Sequence, residues 1–426
     1  MSTLLIIVFV LGYVAIAFEH TIGVNKAGAA LITGVLCWTV LAVFAHGADL
    51  SETLTHHLGG IAGIAFFLLG AMTIVELIAA NDGFELITER ITETRRVPLL
   101  WTIALLAFFL SAILDNLTTT IVMVTLTRKL FNEQRDRLYF ASAVVIAANA
   151  GGAWSPIGDV TTTMLWIGGQ ISARGVILST FVPSLAAAVL PLWALSFRFD
   201  GRIMRTVPAA TNTGTVRASP HRRTMLLLGI GTLLFVPVFK TLTHLPPYMG
   251  MFIGLGVMWV VTAIVNRDKN GEERKALSIT SALERTDTPS LLFFVGILLS
   301  VAALQQAGVL IHMAEWLMRT LHLSSLIAFS MGLLSAVIDN VPLVAAVQGM
   351  FTLDQFPTDH SFWSFLAYCA GTGGSALIIG SAAGVVAMGI ERITFFWYLK
   401  RISAYALLGY VAGAGTYVLQ ELLVQR

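Results

Sequence analysis

Twelve apolar runs separated by short polar loops confine most of this chain to a lipid bilayer. They cover about residues 3–18, 26–44, 58–80, 97–127, 139–171, 175–197, 224–240, 245–266, 289–306, 323–353, 361–390 and 396–420. No soluble domain separates them. Composition agrees: 12% of the 426 residues are charged, against about 25% in ordinary soluble domains. The expectation is an all-α polytopic membrane protein. A net charge of +2 leaves no electrostatic footprint for a nucleic acid. Cys37 and Cys369 each lie inside an apolar run and read as packing residues, with no metal or disulfide spacing. The stretch MSTLLIIVFVLGYVAIAFEH lacks a basic n-region, so it reads as a first span and not as a cleaved signal.

The placement of lysine and arginine then constrains topology. Segments 81–96, 128–138, 198–223 and 267–288 are basic, whereas 45–57 and 354–360 contain no Lys or Arg. Basic loops stay in the cytoplasm. If 97–127 crossed once, its two basic flanks would fall on opposite sides. A segment that enters, turns at Asp115-Asn116 and returns puts both flanks inside. The same reading applies to 323–353, entering from outside. With both termini outside, ten crossings and two re-entrant hairpins, only Arg174, Lys240, Arg319 and Arg426 of the 26 basic residues fall outside. The competing reading makes 97–127 one long tilted helix with a buried, satisfied Asp; it would place four basic residues outside.

The chain also repeats itself. SAILDN (111–116) matches SAVIDN (335–340), ANAGGAWSPIG (148–158) matches AGTGGSALIIG (370–380), and FFLLG (66–70) resembles FFVG (293–296). Each half therefore has the same order of parts, with five crossings, a re-entrant hairpin and a broken helix. An odd number of crossings inverts the second copy. The halves are 1–197 and 224–426, joined by the basic linker 198–223. Inverted repeats of this kind are characteristic of secondary transporters, whose sites lie at the midplane where broken elements meet. The Gly pairs and Pro156 account for the breaks. Non-helical backbone at membrane depth is tolerated only where it is buried in protein or lines a cavity.

Ionisable groups within spans are costly and usually functional. Asp115 and Asp339 sit at the hairpin turns, where capping the returning helix is the structural alternative. Asp159 follows the first break. Glu76 lies within a span, as a proton-handling group or as a structural carboxylate, while Glu19 and His20 sit at a span end facing the interface. Around the aspartates lie amide oxygens (Asn116, Asn149, Asn340) and hydroxyls (Thr118, Thr119, Ser155, Thr162, Thr372, Ser375), with no Lys or Arg beside them. An all-oxygen set of net negative charge suits a small hard cation, Na⁺ or Li⁺. Carboxylates also bind H⁺, and burial favours the neutral form. Na⁺ and H⁺ would then compete, with Asp115, Asp159, Asp339 and Glu76 as candidates for proton coupling. If only a loaded state crosses, competition alone produces exchange. His46, His56 and His57 read as solvated loop residues.

The paired LDN and IDN tips, the segment NAGGAWSPIGDVTTTMLW and the opening FLLGAMTIVELI resemble the NhaD-type sodium/proton antiporters. These belong to the ion transporter superfamily, which also holds arsenite and dicarboxylate carriers. The resemblance runs from about residue 5 to 420, and GGAWSPIGDVTT is its most specific part. It implies export of Na⁺ or Li⁺ in exchange for H⁺ across a bacterial inner membrane. It also implies a homodimer with a scaffold and a transport domain, and no cofactor. Carried over by motif, Asp115-Asn116, Asp339-Asn340, Asn149, Ser155 and Asp159 would line the site. Ser381 stands where Asp159 stands in the first half, so equal roles for the halves are not expected. Other readings are an anion (dicarboxylate or arsenite) transporter of the same fold, a passive cation channel and an intramembrane aspartyl protease using Asp115 and Asp339. The aspartate at each tip argues against the first, and the sequence around both aspartates argues against the last.

Overall fold

The computed structural model describes residues 1–17, 19, 23–44, 50–201 and 221–424. His20, His46, Arg202, Arg205, Arg217 and Arg426 lie outside the described residues. Among the described residues, seven helices are long and apolar enough to cross a bilayer, or up to nine if each of two sharply bent helix pairs is one span. Leu11, Ile32, Val35, Leu227, Ile264 and Leu423 are 61–67% exposed. Such a spread of large apolar side chains over the outside of the bundle is a liability in water and the normal surface in lipid. The chain is a multi-pass membrane protein.

The helices pack in two groups, and each group draws on both halves of the sequence. In one, Thr288–Gln306 packs on Lys26–Phe44, which carries Ser2–Ala17 on another side, and Pro247–Val265 packs on Leu50–Ala80 and Arg222–Thr243. In the other, Arg96–Leu114 and Asn116–Leu130 pack on Gln134–Gly152, Ser324–Leu334 packs on Ser361–Gly373, and Ala173–Ser196 packs on Ser403–Val424.

Between Arg96 and Leu130 the chain reverses at Asp115. Its two ends meet where Arg96 pairs with Asp136 (3.0 Å) and Glu133 (3.5 Å), and Lys129 with Glu85 (3.6 Å). The segment is a helical hairpin, so the basic flanks 81–96 and 128–138 share one end of the bundle. The second pair of legs, Ser324–Leu334 and Asn340–Met350, both pack on Val309–Leu321 and Ser361–Gly373. The two motifs make the same contact. Ser111 Oγ donates to the Ala148 carbonyl (2.6 Å), and Ser335 Oγ donates to the Ala370 carbonyl (3.0 Å).

The two expected broken helices are broken, and the spans expected over 58–80 and 396–420 differ in extent: the first begins at Leu50, which places His56 and His57, expected in a solvated loop, on that helix. The run 139–171 is split into Gln134–Gly152 and Val160–Ile167, and 361–390 into Ser361–Gly373 and Ala382–Glu391. The closing span, expected over 396–420, begins instead at Ser403. Phe395–Arg401 is a separate short helix bent 110° from Ala382–Glu391. Arg392 ends the preceding helix in the left-handed conformation (φ 54°), and Thr394 starts the new one by accepting from the Trp397 N–H (3.3 Å).

Candidate ion-binding site

The first hairpin tip is strained. Asp115 has φ 75° and ψ 162°, a region that L-residues avoid at a cost of about 1–3 kcal/mol. Its own side chain holds the turn: Oδ1 accepts from the Thr118 N–H (2.8 Å) and Oδ2 from Thr118 Oγ1 (3.0 Å). Asp339, at the second tip, has ordinary backbone angles (φ −48°, ψ 135°), and Oδ1 accepts a longer bond from the Val341 N–H (3.4 Å). Both aspartates cap the returning helix. The strain sits on the first tip only.

Asp159 joins the two tips. It occupies the N-cap position of Val160–Ile167, yet its side chain makes no capping bond. Oδ1 accepts from Asn116 Nδ2 (3.2 Å), while Oδ2 accepts from Asn340 Nδ2 (3.2 Å) and Thr161 Oγ1 (2.6 Å). Asn116 Nδ2 also donates to Asn149 Oδ1 (3.0 Å), and Asn149 Nδ2 donates to Ser375 Oγ and Ser381 Oγ (2.9 Å each). A carboxylate 2% exposed, bonded by an amide from each hairpin, ties the halves together. Asp115, Asn116, Asp159, Asp339 and Asn340 line one cavity with apolar walls. Among the described residues the carboxylates form no metal-holding cluster with His, Cys or one another.

The remaining expected residues divide. Ser375 joins the network through Asn149. Ser155 is buried and accepts weakly from the Ile157 N–H (3.4 Å), shaping the break. Thr162 donates to the Asp159 carbonyl (2.8 Å) and Thr372 to the Tyr368 carbonyl (2.6 Å), so both hydroxyls are engaged with backbone. Thr119 Oγ1 is buried with no hydrogen-bond partner among the described residues. Glu76 pairs with Arg285 (2.8 Å) and does not line the cavity. We expect Glu76→Gln to leave proton coupling intact and to cost under about 1 kcal/mol, as for other half-exposed pairs; thermal melting and a transport assay check both.

Thr161 serves Asp159 where sequence spacing favoured Thr162. Ser381 is a member of the network, and only its match to Asp159 pointed to it. Lys26 corrects the expectation that no cation sits near the carboxylates: it lines the same cavity, with Nζ 4.8 Å from the Phe293 ring centroid. It is the first residue of its helix and of the expected span 26–44, so in sequence it reads as a charge at a span end.

A multi-pass bundle with a polar network and a cavity at its hairpin tips fits a transport protein, and the relatives of this chain are transporters rather than enzymes. The family model described as Citrate transporter matches residues 13–364. Sodium/proton antiporter 1 and 2 of Arabidopsis thaliana are each 46% identical over 97% of this chain, which covers 71% and 98% of their lengths. The Na(+)/H(+) antiporter NhaD of Alkalimonas amylolytica is 31% identical over 97% of the chain and 89% of its own length. The chain belongs to the NhaD-type antiporters of the ion transporter superfamily.

Proposed function

We propose that this chain is a secondary active Na⁺(Li⁺)/H⁺ antiporter that exports sodium by alternating access. Cation and proton bind competitively at the hairpin-tip carboxylates. The observation that carries the reading is Asp159, held by Asn116 from one hairpin and Asn340 from the other. A cation on that carboxylate would be felt by both tips at once, which is how ligand occupancy is coupled to a rigid-body change. The full-length relatives named as sodium/proton antiporters support the choice of ion.

The architecture behind this reading is an inverted repeat of 1–197 and 224–426 about the linker 198–223. The matching Ser111 and Ser335 contacts support it. The two packed groups of helices correspond to the scaffold and transport domains of the family resemblance, and a homodimer belongs to the same reading. Ten crossings, two re-entrant hairpins and both termini outside belong to the same reading, supported by the basic flanks 81–96 and 128–138 at one end of the bundle; a bacterial inner membrane is what the family resemblance implies. Lys26 and Ser290 line the cavity from the starts of their helices, on the side of the Glu76–Arg285 pair. We therefore read this conformation as open to the cytoplasm.

The family description favours a second reading, a citrate-like or other anion. Charge argues against it: three aspartates line the cavity beside one lysine. The test is pH-dye recovery in proteoliposomes with an acid interior, adding NaCl, LiCl, KCl and then an anion such as succinate or citrate. Recovery is expected with Na⁺ or Li⁺. Below the titration range of the site, each unit fall in pH should raise the apparent KM for Na⁺ by up to about tenfold, because a protonated carboxylate cannot hold the cation. A KM independent of pH, or uptake driven by the anion alone, would overturn the antiport reading.

A further inference from the structure

At the basic end of the bundle several charged groups are paired: Arg96 with Asp136 and Glu133, Arg137 with Glu391, Arg222 with Glu89, and Arg285 with Glu76. Arg135, Arg198 and Arg401 have no carboxylate partner among the described residues, and they line one pocket with Tyr139 and Trp397. These five residues come from three separate stretches of chain. The walls are fixed. Arg198 Nε donates to Tyr405 Oη (2.6 Å), and the guanidinium lies 5.5 Å from that ring centroid. Tyr139 and Trp397 meet edge to face at 5.1 Å. The nearby acids Glu133, Asp136 and Glu391 are already engaged by Arg96 and Arg137.

Three unpaired guanidinium groups around one opening repel one another, and an anion relieves that repulsion. The setting indicates which anion. Phe197 and Phe396, 72% and 69% exposed, are chain neighbours of Arg198 and Trp397, and Trp193, 55% exposed, packs on Phe197 (ring centroids 4.9 Å); exposed aromatic rings of this kind are found at headgroup level. Phe395–Arg401 is bent away from the preceding helix, with Phe396 outward and Arg401 at the pocket. Planar guanidinium forks match phosphate oxygens, and basic pockets on the cytoplasmic side of a bundle suit anionic headgroups.

We propose that Arg135, Arg198 and Arg401 bind a phosphate group at the membrane boundary, presented by an anionic phospholipid or by a soluble phosphate. The site is separate from the transport cavity and does not depend on which ion is carried. The test uses the full-length protein in detergent. Native mass spectrometry reads retained lipid, and thermal melting reads stabilisation by phosphatidylglycerol, phosphatidylcholine or inorganic phosphate. The variant combines Arg135→Gln, Arg198→Gln and Arg401→Gln; all three side chains are exposed, so folding is not at stake. Arg319→Gln, which removes a surface pair with Glu315, is the control. Phosphatidylglycerol is expected to bind wild type and control, and to bind the triple variant roughly a hundredfold more weakly, about a factor of five per arginine. Stabilisation by inorganic phosphate alone, lost in the triple variant, would identify a soluble source. Equal responses of wild type and triple variant to every additive would overturn the proposal.

Discussion

Asp159→Asn is expected to reduce Na⁺- and Li⁺-dependent pH recovery to the level of empty proteoliposomes while the protein stays folded. The substitution keeps the shape of the side chain and removes two things. One is the charge opposite the cation. The other is an acceptor: Asp159 receives Asn116 Nδ2, Asn340 Nδ2 and Thr161 Oγ1, and an amide presents an N–H₂ where one of these donors now points. Two donors facing each other in a buried site cost about 1–3 kcal/mol, so one hairpin tip should release. Asp115→Asn should also abolish exchange, with less disturbance, because an asparagine oxygen still accepts the Thr118 N–H bond that holds the strained turn. Thr161→Ala, which removes one neutral donor, should weaken transport without ending it. Wild-type exchange by a folded Asp159→Asn protein would take this carboxylate out of the cycle.

The first hairpin was legible in the sequence because charge is a long-range constraint. Two basic flanks on one apolar segment fit a bilayer only if the chain turns back, and the turn had to fall on the polar pair Asp115-Asn116. The network was legible by type, since Asn149, Asp159 and Asn340 are expensive at membrane depth without a purpose. Its wiring was not legible. Which of Thr161 and Thr162 reaches the Asp159 carboxylate depends on the phase of a helix that begins at Val160, and no spacing rule fixes that phase. Lys26 was hidden for a related reason: it stands at the end of the expected span 26–44, and only the fold brings that end to the cavity. The glycines were assigned a role that is only partly theirs. Gly151 and Gly373 were read as helix breakers, and both lie at the ends of their helices, Gln134–Gly152 and Ser361–Gly373, just before the breaks. They also allow close approach to the hairpin, a property of the partner segment that local sequence does not carry.

That approach sets the second large effect. A Cβ at Gly373 would fall on the Gly332 carbonyl oxygen, and one at Gly151 on the Phe108 carbonyl oxygen. In both cases backbone meets backbone, so no side-chain rotamer can relieve the clash. Gly373→Ala, at the last residue of its helix, should lose stability to overpacking, which typically costs about 1–3 kcal/mol. The only relief is to push Ser324–Leu334 away from Ser361–Gly373. That movement strains the Ser335–Ala370 bond and draws the second tip, with Asn340, off Asp159. A lower melting temperature and a transport defect are therefore expected together. Gly389→Ala is the matched control: its Cβ meets nothing within 4 Å, so the same change in a helix should raise stability slightly and leave transport alone. If Gly373→Ala melts and transports like wild type, the hairpin is not held by this contact. The positioning of the second tip would then rest on Asn340–Met350 and its packing against Thr288–Gln306.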